Sequence, residues 1–440
     1  MLAAEDSNII SVSRRRMAMA FLFVVSTFNY IDRTIISVLQ VPIKRDLGLS
    51  DAQLGLLTGL SFAIFYTSLS IPIGRLADRA NRRNIIALSL GVWSGMTALG
   101  GLASNFLSLV MFRVGVAAGE AGSIPASQSI IADLYPPAKR ATAMSIWGLS
   151  LPLGLLLGYS VTGWLAEAVG WRWTFAIIGG FGVVLAPIVL FLLAEPKRGT
   201  YDDPVIVVAP SMPIGEATLF LWRHKAFCMV VLAAALHGFT QYSLMNWTAP
   251  FYVRVHDMSL SGVALYLALV SGIGGGIGMF LGGYFSDRVG RRDPRGRLLV
   301  MAIFIAAMVP FSFIQFSSAS LGLSLASGAI AGTLMLGYYG PILAVVHSMV
   351  PSTMRAFTAS VLLLVFNIIG LGAGPFTTGL VSDIFAASFN LGNASLTYAI
   401  LCSLAGSIAS VAIFLLAARG APAMSSAQAE APAKAPRVAS

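Results

Sequence analysis

A chain of 440 residues that is 57% hydrophobic and only 10% charged, with a mean hydropathy of +0.82, carries apolar side chains along its whole length. That excludes a soluble globular domain, whose apolar content is confined to a core. In lipid every backbone polar group must be satisfied within the spanning structure, so only helices or closed barrels remain, and runs this long and uniform are not barrel strands.

A spanning helix needs about 20 mostly apolar residues. Twelve stretches qualify: 17–40, 53–74, 84–103, 106–132, 141–167, 173–193, 226–252, 261–284, 298–317, 320–348, 357–382 and 396–418. Arg14 to Arg16 ahead of the first stretch imitate a secretory signal. The run that follows is too long, holds Asp32 and Arg33, and has no small-residue cleavage site, so it reads as a retained helix. Its Ser26, Asn29, Arg33, Ser37 and Gln40 recur at helical spacing as a polar stripe. Asp32 lies about 100° around from Arg33, on the flank of that stripe.

The fourth stretch puts Arg113, Ala117, Glu120 and Ser127 on one face. Arg113 and Glu120 are separated by about 10.5 Å along the axis, too far for an ordinary intrahelical pair. Each is therefore expected to look to another helix: Glu120 to Arg33, and Arg113 to Asp32. A charge at the bilayer centre costs roughly 2.5–3.5 kcal/mol on insertion scales, so four of them in two helices argue for a polar, titratable chamber rather than a packing accident. A buried ion network with a purely structural role would be readily replaced by apolar packing.

Residues 196–225 form the longest internal connection, broken by Asp202, Asp203, Pro204, Pro210 and Pro213. Within it, Ile214 to Trp222 reads as a short amphipathic helix on the membrane surface. The expected division is a six-helix bundle over 1–195, this linker, a second six-helix bundle over 226–419, and a disordered Ala/Pro/Ser-rich tail over 420–440. Cys228 and Cys402 fall inside spans and read as packing residues. Spans seven to twelve hold no deep charge. Their polar side chains are His237, Gln241, Tyr242, Asn246, Tyr338, Tyr339, His347 and Asn367, and Gly272 to Gly278 favour close packing or bending in the eighth span. A charged wall facing an apolar one suits an amphipathic cargo.

Twenty-two of the 28 basic residues fall on the side of the termini; Lys44, Arg45, Arg172 and Arg254 fall on the other, and Arg33 and Arg113 within the spans. The positive-inside bias puts both termini in the cytoplasm. It also accounts for the net charge of +10, so a nucleic-acid partner is not needed.

Gly74-Arg75-Leu76-Ala77-Asp78-Arg79-Ala80-Asn81-Arg82-Arg83 follows the second span, and Gly283-Tyr284-Phe285-Ser286-Asp287-Arg288-Val289-Gly290-Arg291-Arg292 follows the eighth. A second echo pairs Pro136 to Ala141, which includes Arg140, with Pro351 to Ala356, which includes Arg355. Duplicated halves are a known plan for secondary transporters, with the substrate site between the repeats. The decapeptides resemble the signature loop of the major facilitator superfamily. That resemblance implies two pseudo-symmetric bundles working as a functional monomer, and loops that latch the cytoplasmic side when the carrier faces outward. Asp78 and Asp287 would then meet the positive N-terminal end of a helix in the other half. Gly74, Arg79, Arg82, Asp133, Arg140, Arg288, Arg291 and Arg355 complete the expected gating set, with Arg82 paired to Asp133. The first loop departs at Asn81, where the pattern has glycine; asparagine tolerates the left-handed turn that a glycine would make there.

Asn29-Tyr30-Ile31-Asp32-Arg33 and the run from Arg113 through Gly119-Glu120 to Asp133 resemble the first and fourth helices of the Spinster branch. The resemblance implies a carrier of lysophospholipid-like or sphingolipid-like cargo, with Asp32 and Glu120 as a proton switch and Arg33 and Arg113 on the head group. The residues point the same way. A carboxylate in a low-dielectric chamber holds its proton and a neighbouring arginine makes it let go, so rocking the chamber moves a proton. The arginines stay charged and suit bidentate recognition of phosphate or carboxylate. Asn29, Ser37, Asn246, Tyr338 and Asn367 are the further candidate contacts to cargo. The reading is a proton-coupled carrier of amphipathic anions or lysolipids, in contact with membrane lipids and fitting a bacterial cytoplasmic membrane. The alternative is a symporter or exporter of small organic acids, sugar acids or drugs. No cofactor, metal cluster, nucleotide loop or nucleophile–base pair marks an enzyme.

Overall fold

The computed structural model describes residues 10–77, 79–201, 213–291, 293, 295–351 and 354–419. Asp78, residues 202–212 of the central connection and the tail after Arg419 lie outside them. Among the described residues ten helices are long and apolar enough to cross a membrane. One of these, Pro137–Leu192, is two spans in a row, because Gly170 (φ 80°, ψ 167°) breaks it in a backbone region that only glycine enters readily. Arg82–Gly100 adds a further crossing, and the total is twelve.

Polar caps set the helix starts. Ser50 with Gln53 and Asn105 with Ser108 form capping boxes at the second and fourth spans. Asn81 does the same kind of work for the third: its side chain accepts from the Asn84 N–H at 3.1 Å. Its backbone is extended (φ −71°, ψ 116°), not left-handed as expected, because a cap needs that conformation. The surface helix Ile214–Arg223 buries Ala217 and Leu221 against the base of the seventh span and leaves Leu219, Phe220 and Trp222 exposed.

The first six spans pack into one bundle and the last six into another. The bundles meet where the second span faces the eleventh, the fifth faces the eighth, and the first faces the seventh, all in the half away from the termini or at mid-depth. The distal surfaces touch backbone to backbone: a Cβ on Gly55 would stand 2.3 Å from the Pro375 carbonyl oxygen, and one on Gly379 2.2 Å from that of Asp51. Among the described residues no comparable contact joins the bundles on the side of the termini, so the interface closes distally and the chamber opens towards the termini. Three of the facing helices carry π-helical turns, at Leu56–Leu60, Ala268–Gly274 and Asn367–Ala373. Such wide turns are frequent at functional sites.

Candidate functional site

The first span runs Val12–Leu47 and the helix carrying Glu120 runs Phe106–Glu120. Arg33 and Glu120 each lie fourteen residues from the distal ends, Leu47 and Phe106, or about 21 Å down. Matched depth lets the Arg33 Nε donate to Glu120 Oε2 at 2.8 Å. Arg113 sits nearer the distal end and reaches down to Asp32, with 3.9 Å between Nη1 and Oδ2. Asp32 also accepts from Thr97 Oγ1 of the third span at 2.5 Å. Both carboxylates are buried, at 1% and 0% exposure, whereas the Arg33 side chain is 24% exposed.

Aromatic rings separate the two cations. The Phe62 ring lies 4.4 Å from the Arg113 guanidinium and 5.4 Å from that of Arg33. Tyr66 and Tyr30 flank Arg33 at 5.0 and 5.7 Å. A cation over a ring face gains about 0.5–2 kcal/mol, more when desolvated, so the rings offset part of the cost of holding two arginines in lipid. The cluster also keeps unused capacity. Among the described residues Glu120 Oε1, Arg33 Nη2, Arg113 Nε and both amide atoms of Asn29 lack hydrogen-bond partners, although buried polar atoms are nearly always paired.

The other candidate contacts take different positions. Ser37 donates to the Thr34 carbonyl within its own helix. Asn246 donates to the Tyr242 carbonyl, and its own carbonyl accepts from Gln40 across the bundle interface. Asn367 opens the π-helical turn of the eleventh span. Tyr338 is 1% exposed and donates to Gln241 at 2.7 Å, so it belongs to the packing of the second bundle. The tenth span breaks at residues 336–338, and the break turns the next residue, Tyr339, outward. His237 steadies that break by holding the Met335 carbonyl at 3.1 Å and Ser407 at 2.9 Å. A small crevice between the fifth span and the second bundle is lined by Tyr159, Leu244, Leu267, Val270 and Met335 together with Thr248, Ser271 and Gln315.

On the terminal side Arg82 is fully buried. It donates to Asp133, to Glu195 at 2.8 Å, to Ser129 and to the Pro196 carbonyl. The expected Arg82–Asp133 pair is therefore present, and Glu195 is an additional partner. Arg82→Ala leaves two carboxylates facing each other without their cation, and removal of one partner from such a buried network costs about 3–5 kcal/mol; a thermal unfolding midpoint lowered by several degrees checks this. Arg140 donates to the Ala132 and Tyr135 carbonyls, capping the end of the fourth span. Arg288 reaches Tyr284, while Arg79, Asp287, Arg291 and Arg355 are exposed and make no ion pair among the described residues. A Cβ on Gly74 would meet nothing within 4 Å. Among the described residues no helix end from the other half packs against the end of the eighth span that carries Asp287.

The distal side holds a cluster that the sequence pattern did not reveal. Asp51, 3% exposed, accepts from Lys44 at 2.5 Å, from Arg254 at 2.9 Å and from Ser382 at 2.8 Å. Asp383 in turn accepts from the N–H groups of Asp51 and Ala52, at 3.0 and 2.7 Å, and so caps the second span from the eleventh. Arg254, Ser382 and Asp383 come from the second bundle, so the cluster bridges the two halves. Asp51 by itself looks like any acid in a first helical turn.

Residues 22–375 match the Major Facilitator Superfamily, and the chain belongs to it. It is 34% identical to an "MFS-type efflux pump" of Mycolicibacterium smegmatis over 83% of this chain and 84% of the relative. It is 26% identical to "Protein spinster homolog 1" of Xenopus laevis over 91% and 80%. Its fold superposes, with a TM-score of 0.85 and 31% identity over 94% of this chain and 99% of the other, on a bacterial homolog of the human lysosomal transporter Spinster described as inward-facing and unoccupied. Within the superfamily the chain is of the Spinster branch.

Proposed function

We propose that this chain is a proton-coupled carrier of amphipathic anions or lysolipids that works by alternating access. The observation that carries the reading is the quartet of charges at mid-depth: two buried carboxylates, each facing an arginine of another helix, with acceptor and donor atoms left over. With both acids ionised the quartet is neutral; each proton taken up adds one positive charge and frees an arginine for an anionic head group.

In this reading the described conformation faces the cytoplasm. The Asp51 cluster is the closed outer gate, and the loop with Asp287, Arg288 and Arg291 is part of the unlatched inner one. Positive-inside bias orients the termini to the cytoplasm of a bacterial inner membrane, and one chain suffices as the working unit. A second reading, export of drugs or small organic acids through the same chamber, is favoured by the identity to the efflux pump.

The test is flux in proteoliposomes under an imposed pH gradient, with a lysophospholipid and a neutral monoacylglycerol of equal chain length as cargoes. The gradient is expected to drive the first and not the second. Arg113→Ala is expected to weaken binding of the anionic cargo by about tenfold, one charge-assisted contact of roughly 1.4 kcal/mol, and to leave the neutral one unchanged. An equal loss for both assigns Arg113 a structural role.

A further inference from the structure

The Asp51 cluster closes one flank of the distal interface, between the second and eleventh spans. The other flank, between the fifth and eighth, holds a carboxylate that the mid-depth quartet and the Asp51 cluster leave unused. Glu167, near the distal end of the fifth span, is exposed, and its Oε1 accepts from the Ser261 N–H of the eighth at 2.9 Å. Asp383 acts in the opposite sense, from the second bundle on the N–H groups of Asp51 and Ala52. The two contacts are copies of one arrangement. Each receiving helix starts at a serine, Ser50 or Ser259, whose hydroxyl accepts from the N–H three residues on. Such a cap leaves the first two N–H groups of the helix open. Asp383 takes both in the second span, and Glu167 takes the second of them in the eighth. Each capping helix carries a glycine four residues before its acid, Gly163 or Gly379, and so on the same face. A Cβ on Gly379 would stand 2.2 Å from the Asp51 carbonyl oxygen, and one on Gly163 2.2 Å from the Ala264 Cβ and 3.1 Å from the Leu260 carbonyl oxygen. Glycine is what brings each acid within reach. Gly163 and Glu167 precede Gly379 and Asp383 by one and the same interval, and Ser50 precedes Ser259 by the interval between the two signature loops.

We infer that Glu167 and Asp383 form a reciprocal pair of clasps, each bundle capping a helix of the other, and that Glu167 is a gating residue whose release opens the whole distal side. This rests on the alternating-access reading above and adds a second point of closure to its outer gate. Both contacts run between bundles, so neither survives their separation. The N–H groups freed on opening lie at helix ends, where water replaces the carboxylate, and this keeps the gate reversible. The bundles move as bodies, so a clasp lost on one flank lowers the cost of opening both. Arg254 and Ser382 reinforce the Asp383 clasp through Asp51, whereas Glu167 is open to water. The flank of the fifth and eighth spans is therefore the one that releases first.

The experiment measures how fast a membrane-impermeant maleimide, added on the distal side of membrane vesicles, reacts with one buried reporter thiol, a rate that follows the distal-open population. Thr248→Cys reports the flank of the fifth span and Thr378→Cys that of the eleventh; the two threonines are 6% and 2% exposed. Each reporter is placed in a Cys228→Ser, Cys402→Ser background. Glu167→Ala is expected to speed labelling about fivefold, the worth of one lost cap, and by the same factor at both reporters. Glu167→Gln keeps an acceptor for the Ser261 N–H and is expected to stay within about twofold of the parent. Asp383→Ala removes two such contacts and is expected to give about twenty-fivefold, and the two alanine variants together about a hundredfold. Unchanged labelling in Glu167→Ala overturns the clasp. So does a rise at Thr248→Cys alone, which is local fraying, or a Glu167→Gln variant that labels as fast as Glu167→Ala. Gradient-driven uptake that persists while labelling is unchanged leaves the carrier reading standing. Labelling raised as expected in a protein whose uptake ignores the pH gradient keeps the clasp and removes proton coupling.

Discussion

Glu120→Gln is expected to abolish uptake driven by a pH gradient while exchange of cargo across a symmetric membrane persists. Glutamine keeps the carbonyl that accepts from Arg33 Nε, now at 2.8 Å, but it takes up no proton. On the proposed mechanism the Arg33–Glu120 pair breaks when the acid is protonated. In the variant the site is held permanently in its neutral-side-chain form, with Arg33 uncompensated. Leaving one charge of a buried pair without its partner costs about 3–5 kcal/mol, and here part of that is recovered because Arg33 is 24% exposed and lies over three rings. The protein is therefore expected to fold, with a lowered thermal midpoint, and to bind anionic cargo at least as well as the wild type. Asp32→Asn tests the second acid, whose hydrogen bond from Thr97 survives the change. If gradient dependence is untouched in both variants, the two carboxylates are not the switch.

Arg254→Ala is expected to open the distal side. In the described conformation Asp51 holds Lys44 from its own bundle and Arg254 and Ser382 from the other. Truncating one member of a buried, hydrogen-bonded charge pair costs about 2–5 kcal/mol, and this cost falls only on the conformation in which the pair is made. The lower end already shifts a two-state equilibrium about thirtyfold. Spin labels at the distal ends of the second and eleventh spans are expected to report longer distances. Lys44→Ala is the control, because it removes a partner of Asp51 without cutting a link between bundles, and its shift is expected to be much smaller. Identical distance distributions in wild type and Arg254→Ala would falsify the gate.

Intramembrane charges were legible in the sequence because their cost in lipid makes them conspicuous. Asp32, Arg33, Arg113 and Glu120 stand out from apolar runs, and their spacing along two helices already argues for the partners they take. Arg82 was legible from the repeated loop, and Asp133 as its partner from its place at the end of the fourth span. Thr97, Phe62, Tyr66 and Asp51 were not, because threonine, aromatic residues and a first-turn acid occur throughout ordinary helices and carry no excess cost. What gives them meaning is adjacency to residues of other spans. Tyr338 and Tyr339 illustrate the limit within one helix: a regular helix would give each a fixed direction, but the break at residues 336–338 goes with one being buried and the other exposed.

By itself the sequence determined the crossings, the charge asymmetry across the membrane and the duplication of the halves. Each of these is a local property: insertion responds to about 20 residues at a time, and topology to the basic residues beside them. Tertiary structure alone decided which side of the chamber is closed and which residues bridge the two bundles there. Those depend on how helices from the two bundles pack at a given depth, as Asp51, Arg254 and Asp383 do across the distal interface, and no window along the chain contains that information.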